Sequence, residues 1–136
     1  MKVRPRALLV GATALGLLAL TAACADDERH LTGEVTYRER MALPADAVVS
    51  VRLFDPGAAS VEAGTLGEEV IGDPGQVPIP FSVTYYESDV DPDGAYVVEA
   101  EITSGDETLF TTPAPVPVLT DGHPTEDVEL VLVRAG

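Results

Sequence analysis

The hexapeptide Asp89-Val90-Asp91-Pro92-Asp93-Gly94 has the residue types and spacing that open a calcium-binding loop. Carboxylates at alternate positions can converge on one hard cation, and the glycine permits the sharp turn that brings them round. Asp89, Asp91 and Asp93 are therefore the metal-ligand candidates of this chain. Against them stands the twelfth position, where a bidentate glutamate should close the site. It is Ala100, flanked by Glu99 and Glu101 on a predicted strand, and Pro92 stiffens the loop. The competing reading is an acidic turn between two strands that holds no metal.

The one cysteine, Cys24, offers a different chemistry. Ahead of it lie Lys2, Arg4 and Arg6, then an uncharged apolar run from Ala7 to Leu20, then Thr21, Ala22 and Ala23. This is the order of a secretory signal peptide, and the run is shorter than the roughly 20 residues a spanning helix needs. Cys24 stands where a bacterial lipobox has its cysteine, with the pattern shifted by one: Thr21 is three residues before it and Leu20 one further back. A thioether-linked diacylglycerol, with amine acylation where the host performs it, makes the lone thiol a lipid anchor and supplies the several chains that stable anchoring takes. Ordinary cleavage after an Ala-x-Ala-like site is the alternative, and it leaves an exposed free thiol. The expected organisation is a signal peptide over 1–23, a lipidated cysteine and polar tether over 24–30, and one folded domain over 31–136. Such a tether keeps the domain within roughly 20 Å of the membrane at full extension. Ala25, in place of Asp after the cysteine, follows the enterobacterial sorting pattern for the outer membrane, so in a Gram-negative host the domain faces the periplasm.

Catalysis has little to work with. His30 ends the tether and His123 sits in an Asp-Gly-His-Pro turn, both read as solvated loop residues. No nucleophile elbow, zinc-binding His pair or phosphate-cradling glycine loop is present. Glu68 and Glu69 are adjacent, so a strand would send them to opposite faces, while Glu99 and Glu101 read as one solvated strand face. No catalytic residue is assigned, and a non-enzymatic protein is expected, with no cofactor beyond the acyl lipid.

The elements that must position these groups are strands. Val35 and Tyr37, then Val49, Val51 and Leu53, alternate with polar neighbours. The same period of two recurs at Phe81 and Val83, at Tyr96, Val98 and Ile102, and at Leu130 and Leu132. A shorter piece, Val70-Ile71, and a Thr-Leu-Phe-Thr-Thr segment bring the count to about seven. With turn clusters between them and no helical periodicity, the expected fold is all-β: an antiparallel β-sandwich, immunoglobulin-like or transthyretin-like, with the twelve residues just named as its core. Pro78 with Pro80, and Pro113, Pro115 and Pro117, each remove N–H donors from one lateral side of an extended chain, so both segments belong at sheet edges or strand starts. The other edge is then open to a partner strand, or the prolines serve only to block aggregation.

Bulk numbers narrow the partners. Removing residues 1–23 from the 136 leaves 113, one domain's worth. The leader takes three of the eight basic residues and none of the 23 acids, so the net charge of −15 becomes −18. Such a surface repels nucleic acid and anionic headgroups. Three of the five remaining basic residues, Arg38, Arg40 and Arg52, lie in one predicted hairpin over 37–55 and are the candidate partner-binding residues.

That hairpin also carries a resemblance. Residues 31–55, reading LTGEVTYRERMALPADAVVSVRLFD, followed by PIPFSVTYY, LFTT and the closing VELVLV, resemble the YbaY family of bacterial lipoproteins. That family shares a domain with the YscW pilotins of type III secretion. The similarity runs from about Leu31 to Val133, and the Asp89–Gly94 loop departs from it in carrying extra acids. It implies a β-sandwich, no catalytic residues, and either an envelope lipoprotein of binding or structural role or a pilotin that assists assembly of an outer-membrane secretin. A glycan-binding or cell-wall module is the rival from another class, disfavoured by the absence of Trp and by only seven Phe and Tyr.

Overall fold

The computed structural model describes residues 27–136. The expected signal peptide over 1–23 and Cys24 lie outside the described residues. Alternation of β-branched and aromatic residues with polar ones produces eight strands: β1 Glu28–Tyr37, β2 Ala47–Phe54, β3 Thr65–Gly72, β4 Ile79–Tyr86, β5 Tyr96–Ser104, β6 Glu107–Thr111, β7 Val116–Val118 and β8 Val128–Arg134. β4 is the plainest case, burying Ile79, Phe81, Val83 and Tyr85 while Pro80, Ser82, Thr84 and Tyr86 face water. One short helix, α1 Val61–Gly64, starts where the Ser60 hydroxyl accepts from Ala63 N at 3.1 Å.

The strands form one sheet in the order β3-β2-β5-β6-β8-β1-β4, with β7 also on β5. The all-β expectation holds; the antiparallel sandwich does not describe it. β1 and β8 run parallel, Gly33 opposite Val128 through Tyr37 opposite Leu132, and the sheet curls on itself into a nearly closed barrel. Period-two alternation is the same for parallel and antiparallel pairs, so the pattern could not distinguish them. A parallel pair needs a long crossover, and the whole domain between the first strand and the last supplies it.

β1 also begins earlier than its hydrophobic pattern. Glu28, Arg29 and His30, read as tether, pair with Tyr86, Tyr85 and Thr84 of β4. Asp27 accepts from Ser88 through its N–H at 3.0 Å and its hydroxyl at 2.6 Å. All three tether residues are exposed and polar, with Arg29 paired to Glu87 at 2.6 Å and His30 beside the Thr84 hydroxyl, so their place in the strand leaves no hydrophobic alternation in the sequence.

The prolines divide the wall. Thr112 N donates to the Ala100 carbonyl of β5 at 3.0 Å, whereas Leu109, on the opposite side, accepts from Ala135 beyond β8 at 2.9 Å. Odd-numbered residues of β6 therefore face β8. Their ladder has two rungs, Phe110 opposite Arg134 and Thr111 opposite Val133. Continued, this register would set Pro113 against Val131 and Pro115 against Glu129. Neither proline can donate, and the chain instead bends, returning as the three-residue edge strand β7 on β5. At the bend the Thr112 hydroxyl accepts from Ala100 N at 2.8 Å.

At the other end of the sheet, β4 folds over β3. Gly67 faces inward opposite Leu53, and a Cβ there would overlap the Thr84 carbonyl oxygen and press on Val83. Two residues on, Glu69 accepts from Ser82 N of β4 at 2.7 Å. Pro80 presents no donor on that same side. The two sheet ends thus meet through one carboxylate and one glycine, without a backbone ladder.

All twelve expected core residues are buried, joined by Leu31, Leu43, Ile79, Tyr85, Phe110, Val118 and Val128 among others. Tyr37 of β1 stacks on Phe110 of β6 with ring centroids 4.0 Å apart and planes within 5°, and its hydroxyl donates to the Met41 carbonyl at 2.6 Å. Leu43 caps the barrel end, held by Gln76, which accepts from Leu43 N at 2.8 Å and donates to its carbonyl at 3.3 Å.

Two expectations follow. Gly67→Ala should destabilise the fold by about 1–3 kcal/mol by forcing β4 off β3. Gly72→Ala, with open space around its Cα, should be neutral or stabilise by about 0.4–1 kcal/mol; urea unfolding of the two variants tests the contrast. Burial raises the Tyr37 phenol above its ordinary value, with the Glu39 charge adding to the effect. Burial also raises Tyr85, where Arg29 opposes and Glu87 reinforces. A raised phenol contributes fully below the ordinary tyrosine pKa of about 10, and that contribution is lost as pH climbs through the folded value. The melting temperature should fall above about pH 10, and Tyr37→Phe should make that fall shallower.

Candidate functional site

The barrel has two chemically unlike ends. Loops 55–64, 87–95 and 119–127 lie at the end where β1 begins and carry nine carboxylates with no lysine or arginine. Loops 38–46, 73–78 and 105–106 lie at the other end with Arg38, Arg40 and four carboxylates. The calcium candidates sit in the first group. There the Asp91 carboxylate accepts from Asp93 N at 2.9 Å, its own N–H donates to the Tyr96 hydroxyl at 2.8 Å, and its carbonyl accepts from Gly94 N at 2.8 Å. The loop is closed by bonds among its own groups, by Tyr96, and by the Thr120 hydroxyl, which donates to the Gly94 carbonyl at 2.8 Å. Among the described residues no three Asp, Glu, His or Cys side chains converge to hold a metal ion.

The three arginines do not form one patch. Arg38 and Arg40 are exposed in the loop before β2. Arg52 is near the far end of that strand, about 17 Å from its start at 3.3 Å per residue. On the outer face Arg52 is opposite Glu68 of β3 and Glu99 of β5, with an ion pair to Glu68 at 3.1 Å. Glu99 and Glu101 line a shallow outer groove with Ser50, Arg52, Glu68 and Thr111. Glu68 and Glu69 do point to opposite faces, the first outward to Arg52, the second inward to the β3–β4 junction.

His30 is in β1, not in a loop. It is exposed, with Nδ1 3.2 Å from the Thr84 hydroxyl and Nε2 3.4 Å from Glu28. His123 lines an open cleft with Asp93, Thr120 and Asp121. The sequence reading missed a further group. On the outer face of β4-β1-β8, Pro80, Glu34 and Glu129 fall in one row, in register, over a cleft lined also by Thr32, Asp127 and Val128. Glu34 and Glu129 are directly opposed like charges, an unfavourable cross-strand pair, and neither has an ion-pair partner among the described residues. Their separation in sequence hid them, since only the parallel pairing brings them together.

The exposed large hydrophobics are scattered: Met41, Val61, Val70, Tyr86 and Val133. Tyr86, 46% exposed, is the one aromatic among the described residues with its ring largely in water. Among the described residues the arrangement offers edges and charged faces, and no acid, base and nucleophile converge. Millimolar calcium is expected to leave the melting temperature unchanged, and a rise of several degrees would show that the Asp89–Asp93 carboxylates rearrange around the ion.

Comparison with known proteins places this geometry. The protein is similar to the uncharacterized lipoprotein YbaY of Escherichia coli (strain K12), 32% identical over 106 residues, which is 77% of this chain and 56% of that protein. The matched stretch thus spans little more than half of YbaY. A solved structure of an alternative pilotin from the type II secretion system of Vibrio cholerae matches with a TM-score of 0.69 and 31% identity, covering 79% of this chain and 99% of the pilotin. The profile of the family described as type III secretion system lipoprotein chaperone (YscW) matches residues 26–130. The chain belongs to the YscW family.

Proposed function

We propose that this protein is an exported lipoprotein, anchored through an acylated Cys24 in the outer membrane of a Gram-negative envelope, that binds and escorts another protein as a pilotin does. The observation that carries this reading is the match to a pilotin over 99% of that pilotin's chain at 31% identity. A secretin is the partner class that follows from it. The domain supplies binding surfaces and the lipid supplies the address; no step of bond making or breaking is assigned. An envelope lipoprotein with some other protein partner is the coarser form of the same reading. A glycan-binding role finds little support, because stacking platforms need exposed rings and Tyr86 alone offers one among the described residues.

Two experiments test it. Cys24→Ser is expected to abolish incorporation of labelled palmitate and to move the protein from the membrane to the soluble fraction; membrane retention without label would refute the anchor. Crosslinking of the wild-type protein in its own cells is expected to capture an outer-membrane secretin. Capture of peptidoglycan or polysaccharide alone would overturn the protein-binding role, and hydrolysis of an envelope substrate by the purified domain would overturn the non-enzymatic one.

A further inference from the structure

Four strand margins of this sheet lack a backbone ladder. β3 and β4 face each other, with Ser82 N–H taken by Glu69 and the Thr84 carbonyl seated on Gly67. β7 turns Pro117 outward, since Val116 and Val118 face β5 and residues of opposite parity face away. The fourth margin is the side of β8 that looks toward β7. There Val133 opposes Thr111 and Ala135 N reaches Leu109, but Val131 and Glu129, whose peptide groups point the same way, have no strand beside them.

We propose that this margin of β8 is a strand-addition site for an extended segment of a partner protein, one that carries a lysine or arginine opposite Glu129. Three features select that occupant. The peptide groups of Glu129 and Val131 present two donors and two acceptors at strand spacing, which only another backbone matches in register. The opposite wall, built from Pro113, Pro115 and Pro117, cannot complete the ladder itself. On the outer face, a residue opposite Glu129 extends the Pro80, Glu34, Glu129 row, where two carboxylates stand in register without a cation. A basic side chain there would relieve that repulsion. The segment would run antiparallel to β8, continuing the direction of β6.

This rests on the reading of the protein as a protein-binding lipoprotein and specifies where and how it binds. The test uses the exported chain from residue 24 onward and a short blocked peptide alternating valine with lysine, with its valine–glutamate counterpart as control. In the free protein the amides of Glu129 and Val131 should exchange quickly. Adding the lysine peptide should slow both, with affinity falling as salt rises; the glutamate peptide should not bind. Val131→Pro removes one donor from this margin and leaves the β1–β8 ladder, which uses the even-numbered residues of β8, in place. It should abolish protection at Glu129. Glu129→Lys, on the surface, should weaken the lysine peptide about tenfold or more and admit the glutamate peptide. Unaltered binding by either variant, or slow exchange of both amides without peptide, would overturn the proposal. Protection that grows with protein concentration alone would assign the margin to a second copy and overturn it too. If the margin fails while cellular crosslinks map to another face, the partner-binding function stands and this site falls.

Discussion

A sheet with ends must dispose of the peptide groups on its outermost strands, and the architecture of this protein is a set of answers to that constraint. Unpaired N–H and C=O groups invite another chain. β3 and β4 answer by turning on one another, with Glu69 taking the Ser82 N–H and Gly67 admitting the Thr84 carbonyl. β7 answers by proline. Each answer costs regular hydrogen bonding: the β3–β4 junction has no ladder and the β6–β8 ladder stops after two rungs. What holds the barrel shut is its interior, above all the Tyr37–Phe110 stack joining β1 to β6 and the fully buried Leu, Ile and Val side chains around it.

Much of this interior was legible, because burial on one face of a strand forces alternation and alternation survives in the residue order. Every residue from Val35 to Leu132 assigned to the core by that rule is buried. Phe110, the largest fully buried side chain, escaped because β6 is short and bounded by threonines, so no period could be established around it. β7 was foreseen only as a proline-bearing segment at a sheet edge, because a three-residue strand with Pro117 at its centre is too short to show a period of its own. The parallel pairing of β1 with β8 escaped because it depends on which strands meet, and side-chain order does not encode that.

The functional residues divide in the same way. Local features were readable: the turn at Asp89–Gly94 is present as a turn, and Glu68 and Glu69 part to opposite faces. Groupings made by the fold were not. Arg38, Arg40 and Arg52 are near in sequence and separated by the length of β2, whereas Glu34 and Glu129 are distant in sequence and adjacent in space. Gly33 and Gly67 gave the available warning. Glycine inside a strand marks a place where another backbone comes close, and both lie where the sheet crowds upon itself, Gly33 beneath Phe81 and against the Val128 carbonyl.

The early start of β1 bears on how the molecule would stand on a membrane. With Glu28 already in the sheet and Asp27 held at Ser88, only Ala25 and Asp26 separate Cys24 from the fold. Fully extended, that leash reaches about 10 Å, close to the screening length of about 8 Å in physiological salt. A lipid on Cys24 would therefore hold the carboxylate-rich end inside the field of the headgroups. An anionic leaflet would push that end away while the leash restrained it, and the two forces together make a torque. The barrel would tilt by an angle set by lipid charge and ionic strength, so that the composition of the membrane would decide how the molecule is presented to a passing protein.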